Sequence, residues 1–241
     1  MTDEAHGETT VRAAGNEWRL PVLVISPHLD DAVLSTGNVL QRLPDCVVLT
    51  VLAGNPAAWD RATLWDKSCG FGDGDDVVAR RLEENSAALA LLGTQGTELS
   101  FLDSQYSQVP LDAKELGAAI ANEIRWARAL SVVAPLGIGH DDHRLVAAAS
   151  EHARQECDTD WYVYGDLPYL YEPGGDRQAL DVRDRLIGQG LRLSLLQGSA
   201  AFPPKREAID LYASQCKGLG KQRVRAALGR EQYWRVTPPE S

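Results

Sequence analysis

The sequence LPVLVISPHLDD, residues 20–31, decides the fold of this chain. An apolar run of strand length, residues 20–26, leads into a histidine and two carboxylates, and a helical pattern follows over residues 31–43. The same order recurs where the apolar run 131–136 leads into GHDDH, residues 139–143. Neighbouring parallel strands bind ligands beyond their carboxyl ends, so we expect these two polar turns to meet there.

Short apolar runs alternate with amphipathic stretches along most of the chain. This alternation predicts an α/β fold whose mostly parallel sheet carries helices on both faces. We expect a single domain over residues 18–241, preceded by a flexible N-terminal arm, residues 1–17, which is polar and lacks periodicity. Strands are predicted at 20–26, 46–53, 98–102, 131–136, 161–165 and 232–236, and helices at 31–43, 77–92, 111–128, 143–156 and 205–219.

The bulk composition is that of an ordinary globular protein, and its charge favours a small-molecule substrate. The formal net charge of −10 opposes nucleic acid and anionic membrane surfaces as partners. The basic stretch 206–230 is interpreted as a solvated helix face. The four cysteines are widely spaced and follow no signal peptide, which predicts reduced thiols in a cytoplasmic protein. No apolar run is long enough to span a bilayer, and a homo-oligomer is compatible with the sequence.

The two polar turns carry the residue types of a catalytic metal site. Imidazole and carboxylate groups bind Zn²⁺, and catalytic sites keep a position for water beside three protein ligands. His28, Asp31 and His143 meet that requirement, while Asp30 stays outside the ligand set and within reach of the water's proton. Zn²⁺ is the expected ion and Fe²⁺ the second candidate.

These residues resemble the motifs of the LmbE-like, or PIG-L, family of metal-dependent N-deacetylases. PHLDDAVLS (residues 27–35, with Gly37) is similar to the first family motif and GHDDH to the second. Further similar segments are RRLE at 80–83 in a helix ending at Leu92-Gly93, FLDS at 101–104 and LYASQ at 211–215. The resemblance spans about Leu20 to Trp234 and implies a Rossmann-like α/β domain.

The resemblance also implies a role for each matching residue. It implies hydrolysis of an N-acetyl group on an amino sugar or pseudo-oligosaccharide, with metal-activated water as the nucleophile. The implied roles are metal ligands for His28, Asp31 and His143, general base for Asp30, oxyanion contact and amine protonation for His140, and orientation of a histidine for Asp142. Asp103 matches a substrate contact, and Arg81, with Arg80 as the second candidate, would face the substrate. Asp166 and Tyr169, which follow the predicted strand 161–165, are added as candidate substrate contacts.

Three positions depart from the common family pattern. Leu29 stands where proline is usual and Ala32 where glutamate is usual, which changes pocket shape but no proposed ligand. Ile138 occupies the place of a tyrosine found in some relatives, so Tyr106, Tyr164 or Tyr169 would have to supply such a group. The long segment 54–76, with Trp59 and Trp65, is interpreted either as a lid or as a packed surface loop.

Several alternatives stay open at this stage. An amidase acting on a thiol conjugate uses the same chemistry. The spacing of His28, Asp30 and His143 also suits the facial triad of a non-haem Fe(II) oxygenase. A silent sugar-binding protein is disfavoured by the intact Asp30, and a nucleotide-binding enzyme by the missing G-x-G-x-x-G. Finally, Asp30 and Asp31 could simply cap the helix that follows them.

Overall fold

The computed structural model describes residues 9–13, 16–56, 61–107, 109–198 and 201–239. The strands within these residues are β1 (Thr10–Ala13), β2 (Asn16–Arg19), β3 (Val22–Ser26), β4 (Cys46–Thr50), β5 (Gln95–Glu98), β6 (Ser131–Pro135), β7 (Asp160–Tyr164), β8 (Arg192–Gln197) and β9 (Gln232–Thr237). The helices are α1 (Asp31–Leu40), α2 (Leu64–Cys69), α3 (Val77–Leu91), α4 (Ala113–Trp126), α5 (Asp141–Glu156), α6 (Leu167–Leu170), α7 (Gly175–Gly188), α8 (Pro203–Asp210) and α9 (Ala213–Ala227).

The main sheet has the order β5-β4-β3-β6-β7-β9-β8. Its first five strands in this order, β5, β4, β3, β6 and β7, are parallel. β9 runs antiparallel between β7 and β8. The chain starts in the middle at β3, moves outward through β4 and β5, and then returns to the other side of β3 at β6. The strand order therefore reverses between β3 and β6, which is where doubly wound sheets form their ligand crevice. The predicted mostly parallel α/β fold is confirmed.

β3 anchors the sheet because all five of its residues are buried. Val22 and Val24 belong to one apolar cluster, whereas Leu23 and Ile25 belong to another. Successive side chains of a strand point to opposite faces, so these clusters are the two layers between the sheet and its helices. Burial of each such side chain contributes about 1.5–3 kcal/mol. A continuous apolar run at 20–26 is thus the pattern of a strand covered on both faces.

Several elements differ from the sequence predictions. The strand predicted at 98–102 lies at Gln95–Glu98, whose side chains are mostly exposed on the edge of the sheet and show no apolar pattern. The helix predicted at 205–219 is two helices, α8 and α9, which are separated at Leu211-Tyr212. Tyr212 is fully buried there, and its hydroxyl donates to Asn85 Oδ1 at 2.8 Å.

Other elements were not predicted at all. α2 lies inside the segment 54–76, and α7 and β8 follow residue 170, where the apolar pattern is irregular. β1 and part of β2 lie in the segment 1–17, so the lack of regular structure expected there is corrected, while its flexibility stays a prediction. Among the described residues, no helix is both long and apolar enough to cross a membrane.

Candidate active site

The turn between β3 and α1 is held by short hydrogen bonds. Ser26 Oγ donates to His28 O at 2.7 Å and accepts from Ala32 N at 3.0 Å. Asp31 Oδ2 accepts from His28 N at 2.9 Å, which folds this carboxylate back over the strand end. The turn therefore brings the His28 ring and the Asp31 carboxylate to one point at the carboxyl edge of the sheet.

His143 reaches the same point from α5, which follows the neighbouring strand β6. Asp31 Oδ2 lies 3.1 Å from His28 Nδ1 and 3.2 Å from His143 Nε2. Ligands held about 2.0–2.1 Å from a tetrahedral Zn²⁺ lie about 3.3 Å apart, so these spacings match two edges of such a tetrahedron. His28, Asp31 and His143 thus form a group that could hold a metal ion.

Each of the two rings contacts a second carboxylate through its other nitrogen. His28 Nε2 lies 3.0 Å from Asp142 Oδ2, and His143 Nδ1 lies 2.7 Å from Asp166 Oδ1. Such contacts fix the tautomer of metal-binding imidazoles by accepting the proton of the nitrogen that does not bind. The remaining nitrogens, His28 Nδ1 and His143 Nε2, then direct their lone pairs toward Asp31.

Three electron-rich atoms in contact require positive charge between them. Burial opposes protonation of His28, but hydrogen bonds to Asp142 and Asp31 outweigh it and hold its pKa well above the ordinary value. Burial likewise opposes protonation of His143, but the charge of Asp31 and the bond to Asp166 raise its pKa to about 9.

His143 Nε2 is itself buried without a hydrogen-bond partner among the described residues. A divalent cation would supply the missing charge without added protons, so these residues fit a metal ion.

Asp30 behaves differently from its neighbour Asp31. It occupies the N-cap position of α1, yet its side chain makes no capping hydrogen bond, so the simple capping interpretation fails for this residue. Burial, and next the charge of Asp31, raise the pKa of Asp30 to about 7. The carboxylate lines the cavity described below and is free to accept a proton there. A bound cation would attract its negative charge and lower this pKa.

His140 caps α5 through its own ring. Its Nδ1 accepts from Asp142 N at 3.1 Å, which leaves the hydrogen of a neutral ring on Nε2. Burial, and next the charge of His28, lower the pKa of His140 and favour this neutral form. His28, His140 and Asp142 make a second group that could hold a metal. It is the poorer candidate, because Asp142 Oδ2 also accepts from both Ser104 N and Ser104 Oγ.

A cavity of about 290 Å³ opens beside these groups. Asp30, His140 and three predicted substrate contacts, Arg81, Asp103 and Tyr169, all line it, which is consistent with their predicted roles. The other lining residues are His28, Leu29, Asp31, Leu34, Leu52, Ala53, Gly54, Trp65, Val78, Ser104, Gln105, Tyr106, Pro168, Gln215, Leu219 and Arg223.

The structure corrects one predicted substrate contact, Asp166. Its side chain is fully buried, with Oδ1 on His143 Nδ1 and Oδ2 accepting from Gly137 N at 2.9 Å. It therefore orients His143 and does not face the cavity. Tyr164 is also buried and donates to Ile25 O at 3.0 Å, so among the three candidate tyrosines only Tyr106 and Tyr169 line the cavity.

Much of the cavity wall comes from elements that the sequence analysis did not assign to the site. Trp65 belongs to α2, and Gln215, Leu219 and Arg223 belong to α9. The one available signal was LYASQ at 211–215, which contains Gln215. α2 packs on α9 where Gly218 leaves room for Cys69 and Trp65, so this part of segment 54–76 is packed. Trp59 lies outside the described residues, and the lid role stays a prediction.

Comparisons with known proteins agree with this geometry. The family model described as PIG-L, GlcNAc-PI de-N-acetylase, matches residues 23–154, more than half of the chain. The 2′-N-acetylparomamine deacetylase of Niallia circulans is 27% identical over 245 residues, covering 85% of this chain and 84% of that protein.

Solved structures show the same similarity. Teicoplanin deacetylase Orf2, in its zinc-inhibited form, superposes with a TM-score of 0.75 at 26% identity and covers 91% of this chain and 99% of its own. The N,N′-diacetylchitobiose deacetylase of Pyrococcus horikoshii shares the fold at 17% identity, with a TM-score of 0.51 over 90% of this chain and 83% of its own.

Proposed function

Since this chain belongs to the PIG-L family of de-N-acetylases, we propose that it hydrolyses the N-acetyl group of a small amino sugar or pseudo-oligosaccharide. His28, Asp31 and His143 would hold the divalent ion, with Zn²⁺ as the first candidate. Family membership confirms the predicted enzyme class, an amide hydrolase. It also removes the non-haem oxygenase alternative, whose facial triad usually belongs to all-β folds, whereas this sheet is mostly parallel and part of an α/β fold.

One observation carries the proposal. His143 Nε2 is buried without a hydrogen-bond partner in the described part of the chain, and it lies 3.2 Å from Asp31 Oδ2. A buried polar atom left in this way costs about 1–3 kcal/mol unless something binds it. The second imidazole, His28, approaches the same oxygen, so a cation at this point would satisfy all three groups.

Each remaining residue has a place in the reaction. A bound cation would lower the pKa of a water molecule at the site and polarise the acetyl carbonyl. Asp30, which makes no capping bond and faces the cavity, accepts the water's proton. The His140 Nε2–H donates a hydrogen bond to the oxygen that gains negative charge when the carbonyl carbon becomes tetrahedral.

Cleavage of the C–N bond then needs a proton on the leaving nitrogen. Asp30, which lines the cavity, holds the proton taken from water and would pass it to this nitrogen. A neutral His140 has no proton to give, because loss of the Nε2 hydrogen would leave an imidazolate; with Nδ1 held by Asp142 N, its ring serves only as a hydrogen-bond donor through Nε2. The products are acetate and a free amine, and no redox partner is required.

The substrate assignment rests on the cavity and on the relatives. Asp103 and Arg81 place an acceptor and a donor in the cavity wall, as recognition of a polyhydroxylated ring requires. A net charge of −10 also favours substrates that carry cationic amines over anionic ones. The similarity to a 2′-N-acetylparomamine deacetylase makes acetylated aminoglycoside-like compounds the first to test.

The test is acetate release from N-acetylated amino sugars, 2′-N-acetylparomamine and a thiol-conjugated amide. We expect acetate from at least one acetylated sugar, loss of turnover on chelation, and recovery with one equivalent of Zn²⁺. Excess zinc is avoided because the similar teicoplanin deacetylase has a zinc-inhibited form. The Asp30→Asn variant serves as the inactive control. Amine release from the thiol conjugate alone, or no metal dependence, would contradict the proposal.

A further inference from the structure

Asp66 in α2 is a fully buried carboxylate that lies outside every motif discussed above. Its Oδ1 accepts from Arg81 Nη2 at 3.0 Å and from the Tyr106 hydroxyl at 2.8 Å. Tyr106 Oη in turn accepts from Arg81 Nη1 at 3.2 Å. Arg81 and Tyr106 both line the cavity, whereas Asp66 does not. Asp66 therefore binds two residues of the cavity wall, Arg81 and Tyr106, without lining the cavity itself.

The second oxygen of Asp66 is tied to the start of its own helix. Asp66 Oδ2 accepts from Thr63 N at 3.0 Å, and Thr63 Oγ1 accepts from Asp66 N at 3.0 Å. This reciprocal pair is a capping box, which fixes the position of the first turn of α2. Because a buried carboxylate with both oxygens engaged has little freedom to move, the position of Arg81 depends on the position of α2.

The same turn is also connected to Asp103, a second polar residue of the cavity wall. Thr63 Oγ1 donates to Gln105 Oε1 at 2.6 Å, and Gln105 Nε2 donates to Asp103 Oδ2 at 2.6 Å. Asp103 Oδ2 lies 3.9 Å from His28 Nε2, at the edge of the candidate metal site. The start of α2 is thus connected by side-chain hydrogen bonds to two predicted substrate contacts of the cavity wall, Arg81 and Asp103.

The structure assigns Asp66 the role of a positioning residue that orients Arg81 for substrate binding, with the α2 capping box as its anchor. This inference rests on the proposed function for its substrate. Asp66 touches neither the candidate metal ligands nor Asp30 in the contacts described, so its loss should weaken binding more than chemistry. The other contacts of the buried guanidinium are with neutral groups, Tyr106 Oη at 3.2 Å and Cys69 Sγ at 3.6 Å, so Asp66 is its charged hydrogen-bond partner among the described residues.

The test compares Asp66→Asn with a matched control, Asp76→Asn. Asp76 is an exposed N-cap whose Oδ1 accepts from Ala79 N at 3.1 Å, and asparagine can replace it there. At position 66, however, both carboxylate oxygens accept hydrogen bonds, so the NH₂ group of an asparagine side chain must face another donor, either Arg81 Nη2 or Thr63 N. We expect KM for the acetylated substrate to rise about 10- to 100-fold in Asp66→Asn, the factor for a lost charge-assisted bond, with kcat changed less than about threefold. Asp66→Glu, which keeps the charge, should recover much of this loss, and Asp76→Asn should match the unmodified chain.

A second measurement does not depend on turnover. Phenylglyoxal modifies accessible arginines, and peptide mass spectrometry reports the extent at Arg81, which is buried in the native chain. Modification of Arg81 should accelerate at least about tenfold in Asp66→Asn and stay unchanged in Asp76→Asn. If no substrate is found, the proposed function fails while this measurement still decides the role of Asp66.

The outcomes separate cleanly. A folded Asp66→Asn variant with native KM and a native rate of Arg81 modification would overturn the inference. So would a variant whose kcat falls in proportion to its zinc content, because Asp66 would then support the metal site and not Arg81. If Asp66→Asn does not fold, Tyr106→Phe takes its place, because it removes the two bonds of the Tyr106 hydroxyl, to Asp66 and to Arg81, and leaves the ion pair of Arg81 and Asp66 intact. Arg81 modification at the native rate in Tyr106→Phe supports Asp66 as the residue that holds Arg81, whereas modification at least about tenfold faster assigns that role to Tyr106 and overturns the inference.

Discussion

Replacement of Asp166 by asparagine should weaken metal binding although Asp166 is not a proposed ligand. The carboxylate has Oδ1 on His143 Nδ1 at 2.7 Å and Oδ2 on Gly137 N at 2.9 Å and Ile138 N at 3.3 Å. If the amide oxygen of asparagine accepts from the two backbone groups, its NH₂ faces His143 Nδ1. Two donors cannot share that distance, so the ring must move its proton to Nε2, the nitrogen that the metal would need.

The magnitude follows from this change of tautomer. Loss of the group that orients a metal-binding histidine typically reduces metal affinity about 10- to 100-fold, or about 1.4–2.7 kcal/mol. The rotated amide gives no relief, because its NH₂ would then face Gly137 N and Ile138 N.

Competition with a chromophoric zinc chelator measures the Kd directly. Asp181→Asn removes the same charge from an exposed position on α7 and controls for net charge. A zinc Kd for folded Asp166→Asn within twofold of the native value, or equal to that of Asp181→Asn, would refute the reasoning.

Three further predictions follow from the described contacts. Asp30→Asn should lower kcat about 10²- to 10⁴-fold in acetate-release assays, and metal analysis should find unchanged zinc because Asp30 is not among the proposed ligands. Chelation should lower the thermal midpoint, since zinc at about 1,000 times its Kd stabilises by about 4 kcal/mol; identical melts with and without metal would contradict the site. Lys205→Met should destabilise by about 3–5 kcal/mol in denaturant melts, because the fully buried Glu231 carboxylate, 2.7 Å from Lys205 Nζ in the native chain, loses its cationic partner and keeps neutral donors, Asn38 N and the Tyr233 hydroxyl. The double variant with Glu231→Gln should recover most of that stability and, like the single variant, keep native kcat.

The fold was predictable where burial on both faces leaves a continuous apolar run. β3 and β6 have every residue buried, and both were located to within two residues at each end. β5 was misplaced because an edge strand with exposed side chains carries no such pattern. The break between α8 and α9 escaped prediction because it depends on Tyr212 finding Asn85 across the fold, a contact that no local pattern encodes.

The site was predictable to a similar depth. His28 and His143 come together because β3 and β6 are neighbours in parallel register, which follows from the two strand-exit motifs. The role of Asp166 was not predictable, because its distance from His143 in the chain hides a contact of 2.7 Å. Asp66 gave no signal either, since a carboxylate in an acidic loop segment looks solvated until α2 packs on α9.

Asp30 and Asp31 show why two adjacent carboxylates take different roles at the same turn. Successive residues at a helix start point about 100° apart, so neighbours cannot direct their side chains to one point. Asp31 turns back toward His28 N, where its oxygen also meets His143, and these contacts hold its pKa well below the ordinary value despite burial. Asp30 is left facing the cavity with its pKa raised to about 7 by burial and by Asp31. The carboxylate with the lower pKa is the better ligand, and the one with the higher pKa is the better proton acceptor. Because both residues are aspartates, their roles are set by the backbone of the turn and not by the type of side chain.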